Sequence, residues 1–316
     1  MRAIVVKDQQ MELAEIPEPE LREGDLLVKV RAAGVNRADL LQRMGRYPVP
    51  PGESETIGME IAGEVLKPDS RRGEKVMALI GGGGYAERAR VPAAQAMPVP
   101  PGLSFAEAAA IPEAFLTSWL NLMMLGRLQA GEVLVVHAAA SGVGTAALQL
   151  SRGIAGVILA TSSPEKHAAC RKLGATHVLA RNDVPTKLGD AVQAAAGRGA
   201  DLIFDMVGGA YLEANVAALA LQGRLSCIST MSGAKATLDM NALLHRRLTI
   251  MGSTLRSRSP AQKAKLVRDF TEKALPRFAR GELRPVLART YPLAEAQRAH
   301  EALAANEVVG KIVLEP

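Results

Sequence analysis

The stretch Val133-Leu134-Val135-Val136-His137-Ala138-Ala139-Ala140-Ser141-Gly142-Val143-Gly144-Thr145-Ala146-Ala147-Leu148-Gln149-Leu150 decides the fold. Its four leading apolar residues read as a strand buried on both faces. A turn of small residues follows, then a helix in which Ala147 leaves room for close approach to the sheet. Gly142 and Gly144 carry no side chains to keep the backbone amides at the helix start away from a pyrophosphate, and the helix dipole favours its charge. A bland reading exists, that of a small-residue strand-to-helix turn. The strand before and the helix after it are nevertheless the context a dinucleotide fingerprint requires.

Working outward, further strands are expected at Val157-Ile158-Leu159-Ala160, Asp201-Leu202-Ile203-Phe204-Asp205 and Arg224-Leu225-Ser226-Cys227-Ile228, alternating with helices. That alternation predicts a parallel sheet covered on both faces. Ser163-Pro164 reads as a helix start and Gly174 as its stop. Ser259-Pro260-Ala261-Gln262 reads as a capping box opening the last long helix, whose apolar positions are Leu266, Val267, Phe270, Ala274 and Phe278. This helix is expected to close the α/β domain. Residues 1 to about 113 read instead as β-rich, with short runs such as Leu26-Leu27-Val28-Lys29-Val30 and Glu74 to Ile80 separated by Pro and Gly, a bent sheet or partial barrel. Within it Gly81-Gly82-Gly83-Gly84 lacks the Lys-Ser/Thr of a phosphate loop and reads as a mobile turn. The tail from Arg284, with strand-like Val286-Leu287 and Lys311-Ile312-Val313-Leu314, is expected to return to this first domain.

The 316 residues, 48% apolar and 22% charged, suit two globular domains and exclude wholesale disorder. Aromatic residues make up only 3%, so Ala, Val, Leu, Ile and 12 Met must fill the cores. Two cysteines, Cys170 and Cys227, are too few for a disulfide framework or a cysteine-based zinc site, and both read as reduced interior residues. No apolar run approaches membrane-spanning length and the start does not resemble a signal peptide, so a cytoplasmic setting is expected. The formal charge of +6 comes from scattered basic residues. That pattern favours anionic small molecules weakly and nucleic acid more weakly still, and no membrane partner is expected.

The strand after the fingerprint bears on the choice of cofactor. An NAD site usually carries Asp or Glu about 20 residues beyond the glycines. Here the strand ends Ala160-Thr161-Ser162-Ser163, with Lys166 close behind, and hydroxyls plus a cation suit a 2′-phosphate. NADPH is therefore expected over NADH. His137 reads as a core or hinge residue. Ser141 lies outside a Gly-x-Ser-x-Gly elbow because position 139 is alanine, which removes a hydrolase reading.

Beyond these motifs the chain resembles the zinc-free quinone oxidoreductases of the medium-chain dehydrogenase/reductase superfamily. The resemblance is carried by Ala33-Gly34-Val35-Asn36-Arg37-Ala38-Asp39, Gly58-Met59-Glu60-Ile61-Ala62-Gly63, Ala109-Ala110-Ile111-Pro112-Glu113-Ala114, Ser141-Gly142-Val143-Gly144 and Gly310-Lys311-Ile312-Val313-Leu314. It implies an α/β fold in which a Rossmann-type doubly wound parallel sheet domain, residues 114–283, is inserted into a β-rich GroES-like catalytic domain, residues 1–113 and 284–316. It also implies NADPH in an interdomain cleft and a homodimer. By the same resemblance Asn36 matches an asparagine near the nicotinamide and Tyr47 a tyrosine lining the substrate cleft, and these two are the catalytic candidates. Ser141, Gly142, Val143 and Gly144 match the pyrophosphate turn, Ser163 and Lys166 the 2′-phosphate contacts, and Ser229, Met231, Thr254 and Arg256 further cofactor-lining positions. Arg181 stands where the family commonly has a tyrosine, and its forked guanidinium suits phosphate. The zinc-containing branch has Gly-His-Glu where this chain has Gly58-Met59-Glu60, and no cysteine precedes Cys170, so no catalytic zinc is expected.

The function so implied is NADPH-dependent, zinc-independent reduction of a quinone. Reduction of an alkenal or enone C=C bond is the alternative within the same class. A low-turnover NADPH-binding redox sensor or nucleic-acid-binding protein is the rival class.

Overall fold

The structure, a computed structural model, describes all 316 residues. They divide into two compact units, one of Met1–Leu116 with Leu255–Pro316 and one of Thr117–Thr254.

The first unit contains strands β1 (Arg2–Lys7), β2 (Gln10–Glu15), β3 (Asp25–Val35), β4 (Glu60–Lys67), β5 (Lys75–Leu79), β6 (Arg88–Pro92) and β7 (Ala96–Pro98). The second contains β8 (Val133–Val136), β9 (Val157–Ser162), β10 (His177–Ala180), β11 (Ala200–Asp205), β12 (Leu219–Cys227) and β13 (Thr249–Gly252). The tail returns β14 (Leu287–Pro292) and β15 (Lys311–Glu315) to the first unit.

There β1 and β2 form an antiparallel hairpin, and the main sheet runs β14-β15-β3-β4-β5-β7, with β6 also paired to β3. The 11-residue β3 carries the architecture: its first half pairs with β6, its last residues with β15, and β4 lines much of its length. The register Ile312↔Val35 and Val313↔Gly34 shows how the tail closes onto the N-terminal sheet. Leu26, Val28, Val30, Ile61, Val76, Ile312 and Leu314 are among the residues packed into its core.

In the second unit six parallel strands follow the order β10-β9-β8-β11-β12-β13. Counted from β8 this is 3-2-1-4-5-6, the doubly wound order with its switch point beside the first strand. All four residues of β8 are buried, because helices cover both faces of the sheet.

Two expectations are corrected. The capping box at Ser259 forms, and Leu266, Val267, Phe270, Ala274 and Phe278 are all buried, but the helices Pro260–Lys273 and Leu275–Ala279 belong to the first unit. The α/β sheet is already complete at β13, and Phe278 stacks edge-on against Phe115 at 4.9 Å and Phe270 at 6.4 Å. The second unit accordingly ends at Thr254 rather than 283. Nor is Gly81–Gly84 a mobile turn. Gly83 N–H donates to the Thr56 carbonyl at 2.6 Å and Gly84 N–H to that of Gly58 at 3.0 Å. A Cβ on Gly82 would lie 2.3 Å from the Ser54 carbonyl oxygen, so glycine is there to let two backbones pack.

No helix is long and apolar enough to cross a membrane.

Candidate active site

In the second unit the predicted cofactor residues gather at one edge of the sheet, where the parallel strands end. Ser141 begins the helix Gly142–Ser151 just after β8, and its hydroxyl accepts the Gly144 N–H at 3.0 Å. The first-turn amides of Gly142 and Val143 have no partner within the helix, by the geometry of any helix start. Gly144 is required by the turn: an added Cβ would sit 2.5 Å from the Ala138 oxygen and from the Ala139 Cα. Ala138 itself adopts a left-handed φ of 45° to make the reversal.

The ends of β9 and β10 lie side by side, with Ser162 in register with Ala180. This places Ser163 and Arg181, the next residue of each strand, on neighbouring chain ends. Burial lowers the Lys166 pKa, the Glu165 carboxylate opposes this, and the Arg181 charge lowers it further, so the two cations share one field. Glu165 is the feature that sequence reasoning left out. Its exposed carboxylate bonds the Ser163 side chain and is held below the usual carboxylate range, first by that bond and also by Lys166 and Arg181. Tyr211, 30 residues from Arg181, donates its hydroxyl to the Arg181 carbonyl at 2.7 Å and so fixes the start of that loop. Ser229 follows β12 and lies against Gly208; Met231 and Thr254 are exposed beyond the ends of β12 and β13.

His137 is a core residue. Its ring nitrogens lie 2.9 Å from Thr161 Oγ1 and 2.7 Å from Asn215 Oδ1, and Asn215 in turn donates to Asp205 at 3.0 Å. Burial lowers its pKa, so the neutral ring ties together the ends of three strands. Burial raises the thiol of Cys170, and burial with the nearby Asp205 pushes that of Cys227 to about 11, so neither is a ready nucleophile.

In the first unit Asn36 sits at the end of β3, against a buried ion pair. Lys311 Nζ lies 2.6 Å from Glu60 Oε1 and donates to the Asn36 Oδ1 at 2.5 Å and the Val35 carbonyl at 2.8 Å. Asn36 Nδ2 donates to the same Glu60 oxygen at 2.8 Å, and the Glu113 N–H donates to Glu60 Oε2 at 2.8 Å. Both ends of the Asn36 amide are therefore held. The cationic partner of Glu60 is a lysine from the C-terminal strand, within the closing Gly310-Lys311 motif. No group of three or more His, Cys, Asp or Glu is arranged to hold a metal ion.

Beside Asn36, Asp39 is fully buried and accepts from the Asn36 N–H at 2.8 Å and the Tyr85 hydroxyl at 3.2 Å, with His300 Nε2 3.1 Å from that hydroxyl. Burial pushes Asp39 up to about 7, against its hydrogen bonds and Lys311, and pushes His300 down to about 3. Tyr47 is half-buried, and its hydroxyl pKa is raised by burial and then by Glu113. Arg256, expected among the cofactor contacts, lays its guanidinium over the Tyr47 ring at 5.3 Å.

Two family models match in the order of the two kinds of domain: an alcohol dehydrogenase GroES-like domain over residues 22–101 and a zinc-binding dehydrogenase model over residues 142–272. A quinone oxidoreductase from Thermus thermophilus, solved also with NADPH, is 36% identical, with all of both chains covered and a TM-score of 0.84. The chain belongs to the medium-chain dehydrogenase/reductase superfamily, in its zinc-free, quinone oxidoreductase-like branch. Two further relatives of this superfamily member are less similar in sequence. A mycobacterial protein solved with NADPH is 27% identical at full coverage of both chains, with a TM-score of 0.89. The human synaptic vesicle membrane protein VAT-1 homolog is 29% identical over 93% of this chain and 79% of its own.

Proposed function

We propose that this oxidoreductase uses NADPH to reduce quinones, without zinc, in the cytoplasm and as a homodimer. The carrying observation is the pairing of Lys166 and Arg181 at the adjoining ends of β9 and β10, beyond a glycine turn that opens a helix. Two cations and the Ser163 hydroxyl fit a 2′-phosphate, which would replace the Glu165 carboxylate on Ser163. The first-turn amides after Ser141 fit the pyrophosphate. When bound, NADPH supplies the hydride; the protein's residues orient it and prepare the acceptor.

On the acceptor side Tyr47 offers a hydroxyl whose pKa is raised, so it stays protonated and donates a hydrogen bond to a carbonyl or quinone oxygen. Asn36 is held rigidly, its amide fixed by Lys311 and Glu60. Where the zinc branch holds a metal ligand this chain has Met59, and Glu60 is neutralised by Lys311, so the donor set is unsuited to zinc. For the homodimer the support is apolar surface: Leu221, Met231, Met240 and Leu244 are each more than half exposed in the stretch leading to β13, the last strand of its sheet.

The test is loss of NADPH absorbance with a panel of quinones and enones, using chelator-treated protein and NADH as control. Turnover with quinones and NADPH is expected. Turnover confined to enones would move the assignment to C=C reduction, and no turnover with any acceptor would favour a sensor.

A further inference from the structure

Arg256 is 4% exposed, yet only one of its three guanidinium nitrogens is used. Its Nε donates to the Gly81 carbonyl at 2.8 Å, across 175 residues of sequence. Nη1 and Nη2 are both buried with no hydrogen-bond partner. An arginine does not shed its proton to escape such a position, and a buried charged donor left unmet is costly. The group is also held in place. The Gly81 carbonyl fixes one edge of its plane, and the face of Tyr47 supports it from below. A second buried cation, Lys263 on the helix Pro260–Lys273, stands in the same field as Arg256, Glu53 and Glu113. Asp39 and Tyr47 also face the guanidinium electrostatically.

We propose that Arg256 is a catalytic residue of the acceptor reaction: its two terminal nitrogens receive the carbonyl or quinone oxygen and stabilise the oxyanion that hydride addition leaves there. This rests on the reductase reading above. With an enone, hydride forms a C–H bond at the β-carbon, the C=C π electrons shift toward the carbonyl, and the C=O π pair moves onto oxygen. The resulting enolate lies against the guanidinium until the α-carbon takes a proton from solvent, while the nicotinamide is left oxidised. With a quinone the same two electrons leave one ring oxygen as a phenolate, which then takes up a proton. The charge appears where the unmet N–H groups point, and a preorganised cation stabilises it most in a site that excludes water. The planar fork suits an oxygen with two lone pairs better than a lysine would.

The probe is 4-nitrophenol, which resembles a quinol monoanion and whose phenolate absorbs in the visible. Added to the full-length protein at a pH below its solution pKa, it should bind as phenolate to the wild type. Arg256→Met should abolish that band and Arg256→Lys should keep part of it, with NADPH affinity, followed by fluorescence, unchanged in both. With a quinone, kcat should fall about 10²–10³-fold in Arg256→Met, with a smaller change in KM. Arg256→Lys retains the charge and serves if Arg256→Met does not fold. An undiminished phenolate band in either variant would overturn the proposal. So would a loss of NADPH affinity parallel to the loss of turnover, which would return Arg256 to the cofactor. A phenolate band that depends on Arg256 in a protein that reduces no acceptor would uphold the anion site and count against the reductase reading alone.

Discussion

At the scale of single residues, Asp39 ties stability to pH. Its carboxyl is raised from 3.8 to about 7 because burial outweighs the bonds from Asn36 and Tyr85. A carboxyl raised in the folded state contributes stability that is complete below about pH 3.8 and lost as pH rises through about 7. The loss is on the order of 4 kcal/mol from this one group. Asp39→Asn keeps the shape and should flatten that part of the curve in urea melts taken across this range; an unchanged slope would show that Asp39 is not its source. Residue chemistry was only partly legible. Asn36 and Tyr47 stood out by their motif, whereas Arg256 was expected on the cofactor side rather than the acceptor side, since its partners Gly81 and Tyr47 lie far away in sequence and only the fold brings them together. Lys311 was visible as part of a closing motif but not as the counter-ion of Glu60.

Among elements, the Rossmann sheet was the most readable because its evidence is local. A buried apolar run, a glycine turn and a capped helix each announce themselves over a few residues, and β8, β9, β11 and β12 appear where the pattern puts them. The helix Pro260–Lys273 was equally clear as a helix, capping box included, but its unit was not, because adjacency to Phe115 through Phe278 is a tertiary fact. The same reason hid the packing of Gly81–Gly84 against Ser54, Thr56 and Gly58. Strand ends also carry the proposed cofactor preference. Because β9 and β10 are adjacent and parallel, Ser163, Lys166 and Arg181 converge, and removing one charge-assisted contact to a phosphate costs roughly 1.5–3 kcal/mol. Arg181→Ala should therefore weaken NADPH binding by about 10- to 150-fold and leave NADH binding nearly as before, as read by isothermal titration. Equal weakening of both cofactors, or of neither, would remove Arg181 from the phosphate pocket.

At the scale of the whole molecule, one chain builds a nucleotide-binding sheet from its middle and a second unit from its two ends, joined by the pairing of β15 with β3. That return places Lys311 beside Glu60 and Asn36, so the ion pair that holds the site also records how the chain closes. Breaking one partner of such a buried pair generally costs about 3–5 kcal/mol, and here it would also release Asn36. The cofactor candidates Ser163, Lys166 and Arg181 belong to one unit and the acceptor candidates Tyr47 and Arg256 to the other. The proposed reaction is direct hydride transfer without a metal. The decisive measurement supplies NADPH deuterated at the transferable position of the nicotinamide to chelator-treated protein with an enone acceptor, and reads the product by mass spectrometry. One deuterium at the β-carbon and turnover unaffected by chelation are expected. Product without deuterium, or turnover lost on chelation and restored by zinc, would contradict it.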